Sequence, residues 1–162
     1  MQPMMTDDEL AFLARGLRAT DVAWEWGAGA SSPWLARKVK RLTSVEHDRM
    51  YAQTILPVLP SNASLVWCPP DRLPAAGDDG DDNDFWHYAR TYSGEGVTAV
   101  IIDGRARVAC ARRVAETAPF GPHQDMRIWL HDCDRREYEP IWILHLRPVD
   151  RVGNLMLLEA RL

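Results

Sequence analysis

The chain has only three cysteines in 162 residues, Cys68, Cys110 and Cys133. They are odd in number, widely spaced and free of any Cys-x-x-Cys pair, so neither a disulfide framework nor a zinc site is indicated and reduced core thiols are expected. No apolar run reaches the roughly 18 residues that span a bilayer, and the opening Met-Gln-Pro-Met-Met-Thr-Asp-Asp-Glu lacks the basic and apolar regions of a signal peptide. The expectation is a cytoplasmic protein with no membrane partner. Positive charge is also in short supply: 19 Lys and Arg against 23 Asp and Glu give a net charge of −4. Phosphate-backbone binding normally leaves a basic surface, so no nucleic-acid partner is expected. No internal repeat is visible, and the length fits one domain over 1–162.

What is present is a strand running into a glycine-marked turn. In Asp21-Val-Ala-Trp-Glu-Trp-Gly-Ala-Gly-Ala-Ser-Ser-Pro, the residues Val22, Ala23 and Trp24 read as a strand end. Gly27 and Gly29 let the backbone turn tightly and approach a ligand, and Ser32 followed by Pro33 reads as an N-cap and first helical position. A dinucleotide fingerprint wants a third glycine where this chain has Ser32.

Thr6-Asp7-Asp8-Glu9 is a capping box that starts a helix reaching about Arg18. Strands are expected over 42–46, 64–68, 97–102 and 126–130, with helices after Asp48, over 106–118 and over 135–143. Pro119-Phe-Gly-Pro closes the second of these helices, and the tail splits at Gly153-Asn154 into a hairpin. Strands alternating with helices predict a Rossmann-like, mainly parallel seven-stranded sheet with helices on both faces and a C-terminal antiparallel hairpin. Ligands of such sheets sit beyond the carboxyl ends of the strands, where Gly27, Glu46, Cys68, Asp103 and Asp132 fall. Residues 71–96 lose the pattern. An acidic run reads there as a solvated tip and Phe85, Trp86, His87, Tyr88 and Tyr92 as a candidate lid.

Glu46 lies about 20 residues beyond the glycine turn, where an acid can accept hydrogen bonds from both hydroxyls of a ribose; the bland alternative pairs it with Arg49 or His47. Glu25-Trp-Gly-Ala-Gly-Ala-Ser31, Ser44-Val-Glu-His-Asp48, Ile101-Ile-Asp-Gly-Arg105 and the closing hairpin together resemble the class I S-adenosylmethionine-dependent methyltransferases. The resemblance implies S-adenosylmethionine as cofactor, with Glu25, Gly27 and Gly29 at its methionine part and Glu46 at its ribose. Ser31 stands where many members have a third glycine. Trp26 either faces the cationic cofactor or packs between sheet and helix, and His47 is placed to touch the adenosine. Asp103 and Asp132 are candidates to orient or deprotonate an acceptor. Alternatively they share a divalent cation with Asp134, or cap the following helices. Arg105 and Arg107, at a helix start that disfavours cations, either reach an anionic small-molecule acceptor or pair with those aspartates. His123 and His131 read as ordinary polar residues, and Arg112 and Arg113 as a solvated helix face. The implied activity is methyl transfer to a small or medium-sized acceptor, with O-methylation as one form. A non-catalytic adenosyl-binding module is the alternative, and a nicotinamide oxidoreductase is disfavoured by Ser32 and the lack of a Tyr-x-x-x-Lys pair.

Overall fold

The computed structural model describes residues 4–117 and 126–160. Helix α1 (Asp7–Gly16) starts at the expected capping box, in which Thr6 and Glu9 satisfy each other's backbone N–H groups. It leads into β1 (Val22–Trp26), and α2 (Ser32–Ala36), β2 (Arg41–Glu46), α3 (Arg49–Ile55) and β3 (Ala63–Trp67) follow. Then come α4 (Trp86–Arg90), β4 (Ala99–Ile102), α5 (Arg107–Thr117), β5 (Arg127–Leu130), β6 (Leu146–Val152) and β7 (Leu155–Ala160). The seven strands form one sheet in the order β3-β2-β1-β4-β5-β7-β6, parallel throughout except at the two pairings of β7. The order reverses between β1 and β4, so their carboxyl ends form the topological switch point at which such sheets bind ligands.

Both faces of the sheet are covered, which is why the central strands are apolar almost without interruption. Side chains alternate between the faces. Ala23, Leu42, Ala99, Ile101 and Trp129 meet Phe12 and Leu13 of α1 and Leu35 of α2. Trp26, Val45, Val100, Ile102, Ile128 and Leu130 meet Tyr88 of α4 and Cys110 and Val114 of α5.

Four expectations are corrected. Helix α2 is barely one turn, and Lys38, Lys40 and Arg41 lie beyond it; PLACEHOLDER Residues 136–143 form a 3-10 helix, the tighter winding that goes with Pro140 inside it. The acidic run is not a solvated tip. Asp79 is buried and accepts from the backbone N–H of Arg107, so it caps α5, while Asp71 accepts from His87 N–H at the start of α4 and Asp82 pairs with Arg112. The aromatic cluster is largely core rather than lid, with Phe85, Tyr88 and Tyr92 buried and only Trp86 and His87 outside. The readings of Pro119–Pro122 and His123 lie outside the described residues.

Gly27 holds the switch point together. Its φ is +92°, and a Cβ there would stand 2.5 Å from Gly104 Cα, so the turns after β1 and β4 touch backbone to backbone. Replacing Gly27 by Ala forces both a strained dihedral and a displaced Gly104; the expected loss is about 1–3 kcal/mol of stability, measured by denaturant unfolding.

Candidate functional site

The site is built upward from Glu25. This carboxylate ends β1 with no exposed surface, and Ser32 and Ser44 hydroxyls both donate to Oε2 at 2.6 Å, with Ser31 donating to Oε1 at 3.4 Å. Ser32 Oγ in turn accepts the Gly29 N–H at 2.8 Å. A relay from Gly29 through Ser32 to Glu25 therefore fixes the glycine turn from below, while Gly27 and Ala28 N–H groups bond to Val45 O on β2. Burial is the dominant influence on Glu25 and pushes its pKa up to about 7; the serine hydrogen bonds pull the other way, and nearby Asp103 adds to the rise. The described ion pairs do not include Glu25. Its role is to shape the turn, and Trp26 likewise packs, buried among Trp24 and Tyr92 with its indole N–H donated to Tyr88 O at 3.0 Å.

Above the turn, Gly29 is open: a Cβ there would meet only ordinary contacts, the nearest being the Tyr51 hydroxyl at 3.6 Å. Glu46 ends β2 almost fully buried; its Oε1 accepts from Asp48 N at 2.8 Å and stands 2.8 Å from His47 Nδ1. Beside it opens a cavity of about 480 Å³ whose walls include His47, Met50, Leu73, Phe85 and Arg105. Arg105 donates to Asp78 O at 3.2 Å and pairs with none of the three aspartates considered for it.

A second cluster lies at the ends of β4 and β5. His131 Nδ1 is 2.8 Å from Asp103 Oδ1, its Nε2 is 3.6 Å from Glu9 Oε2 on α1, and Asp132 Oδ1 is 3.7 Å away. Arg107 crosses beneath, donating to His131 O at 2.5 Å and lying 3.1 Å from Asp132 Oδ2 and 3.4 Å from Asp103 Oδ1. Arg135 also reaches Asp132, at 2.6 Å. Asp103 and Asp132 are thus brought together as expected, but through His131, which the sequence reading passed over; Asp134 stays exposed outside the cluster. Among the described residues no group of three or more His, Cys, Asp or Glu side chains is arranged to hold a metal ion. Ala106 and Asp132, the non-glycine residues of positive φ among those described, flank this cluster, and such strain concentrates where chemistry or binding is done.

Burial alone would lower the His131 pKa, but the hydrogen bond and charge of Asp103, with Asp132 and Glu9 behind it, outweigh burial and raise it. A raised imidazole pKa stabilises the fold below its unfolded value near 6.5 and loses that contribution as pH rises through the folded value. His131→Asn should therefore cost more stability at pH 6 than at pH 9 in urea unfolding. Glu25 has a raised carboxyl pKa, so the folded state keeps a proton that the unfolded state releases. Its contribution falls by about 3 kcal/mol as pH climbs from 4.5 through 7. In the same experiment Glu25→Gln should flatten that part of the profile.

No protein-family model matches the chain, and no curated protein matches it. Solved structures do. A methyltransferase-like protein from Silicibacter pomeroyi superposes with a TM-score of 0.72 at 24% identity, over 99% of this chain and 88% of that one. An rRNA methylase from Streptococcus thermophilus gives 0.56 at 17% identity, over 99% and 100%. A Streptococcus mutans protein solved in complex with SAH gives 0.54 at 13%, over 97% and 99%. With its strand order, its reversed hairpin and these neighbours, the chain has the Rossmann-like fold of the class I methyltransferases.

Proposed function

We propose that the cleft binds S-adenosylmethionine and that the protein transfers its methyl group to a small or medium-sized acceptor. The observation that carries this reading is Glu46, a nearly buried carboxylate at the end of β2 with the 480 Å³ cavity beside it. A carboxylate so placed is matched to the paired hydroxyls of a ribose, and two accepted hydrogen bonds offset the cost of holding it out of water. The neighbour with SAH bound supports the same ligand. The residues fit it: the side-chain-free Gly29 lets a ligand approach the turn, and the cavity offers His47 and Phe85 as a ring-bearing wall for a base.

When bound, the cofactor would supply a methyl group on a cationic sulfur. In-line transfer needs chiefly alignment, which a turn fixed from below by Glu25 provides. Asp103 has Oδ1 engaged by His131 and Arg107, leaving Oδ2 to orient an acceptor or take its proton. Asp132, with Arg107 and Arg135 on its carboxylate, positions rather than reacts. Arg105 at the cavity wall suits an anionic acceptor group. The Streptococcus thermophilus neighbour is described as an rRNA methylase, but the net charge of −4 favours a small acceptor over a nucleic acid here. The heavy ion pairing of Asp103 and Asp132 favours a second reading, an adenosyl-binding module without turnover.

Calorimetric titration with S-adenosylmethionine, S-adenosylhomocysteine and NADH tests the first reading. Micromolar binding of both adenosyl ligands is expected, weakened at least tenfold in Glu46→Ala and absent for NADH. Binding of NADH alone, or of nothing, contradicts it. Label transfer from methyl-labelled cofactor to a panel of acidic acceptors, lost in Asp103→Asn, separates an enzyme from a binding module.

A further inference from the structure

Residues 50–70 contain no Asp, Glu, Lys, Arg or His, in a chain where 26% of residues are Asp, Glu, Lys or Arg. A stretch so free of charge belongs in a core. Here it forms α3, a 3-10 turn (Leu56–Val58) and β3, which is an edge of the sheet. Met50, Leu56, Val58 and Trp67 are between 49% and 73% exposed, so four large apolar side chains stand in water along one border of the molecule. The strand itself, Ala-Ser-Leu-Val-Trp, pairs only with β2 and leaves its outer row of backbone groups open.

The opposite edge is treated differently. Strand β6 carries Arg147, Pro148, Asp150 and Arg151, and its register shifts between Pro148 and Asp150. Proline, charge and irregularity are the devices that stop an edge from pairing. The molecule therefore has one blocked edge and one open edge.

We propose that the open edge is covered by a second copy of this chain, β3 pairing antiparallel with its own symmetry mate across a two-fold axis. A strand edge is completed by another strand, and antiparallel self-pairing presents the same patch on both sides. Because β6 is blocked, pairing closes at two chains instead of propagating. The absence of charge selects the partner. Two copies of net charge −4 meet here without an ionised side chain between them, whereas a basic or acidic partner would find no counter-charge to pair with. The interface also reaches the candidate site: Met50 lines the cavity, and the Trp67 indole N–H donates to His47 O at 3.2 Å under the Arg49 guanidinium. The second copy sits at the cavity rim.

Sedimentation equilibrium of the full chain from low to high micromolar concentration tests this. The expected mass is twice 18.4 kDa. Val58→Asp and, separately, Trp67→Asp should weaken the dimer at least tenfold with unchanged circular dichroism, and Val149→Asp on the other edge should leave it intact. Leu56→Asp serves where either variant fails to fold. A monomer at every concentration, a dimer that survives the β3-side variants, or one that dissociates with Val149→Asp overturns the proposal.

Discussion

Everything at the carboxyl end of the sheet depends on one buried carboxylate. Glu25 sits where β1 stops, takes hydroxyl hydrogen bonds from Ser31, Ser32 and Ser44, and through Ser32 holds the Gly29 N–H. A desolvated carboxyl is costly unless its lone pairs are used, and here three hydroxyls from the turn, α2 and β2 use them. That requirement ties together three pieces of chain that otherwise only lie side by side. With the turn fixed, Gly27 can press against Gly104, and the ends of β1 and β4 become a single rigid floor.

The ends of β4 and β5 obey a second constraint. Asp103, Asp132 and Glu9 crowd negative charge around one place, and His131 and Arg107 are the groups that neutralise it. Glu9 also accepts from Asn154 N at 2.7 Å, so the same cluster anchors α1 and the β6–β7 hairpin to the edge of the cleft. Its two backbone partners, Thr6 and Asn154, more than offset the effect of burial and keep the Glu9 pKa low, which preserves the charge that His131 faces. The cluster is thus a structural joint as well as the nearest polar group to the proposed acceptor position.

The fold was legible because its signals are local. The capping box at Thr6, the glycine turn, the cap at Asp48 and the break at Gly153-Asn154 each act within a few residues, and each stands where the pattern placed it. Glu46 was legible for a related reason: an acid ending an apolar strand stands out in sequence. Residues 71–96 were misread because their acids cap distant elements, Asp79 on α5 and Asp71 on α4, and no short-range pattern announces a cap supplied from 28 or 16 residues away. His131 was missed because its meaning lies in Asp103 and Glu9, remote in sequence and adjacent only in space. Ser32 was taken for a helix cap because serine at a helix start usually is one; a buried acid seven residues earlier took its hydroxyl instead.

The account rests on the claim that the turn held by Glu25 and the acid at Glu46 form one ligand site. A crystal structure of the protein grown with saturating S-adenosylhomocysteine tests it most directly. The ligand should lie over Gly27 and Gly29 with its ribose hydroxyls on Glu46 and its base in the cavity lined by His47 and Phe85. A ligand bound elsewhere, or a cavity left empty at saturation, would contradict it.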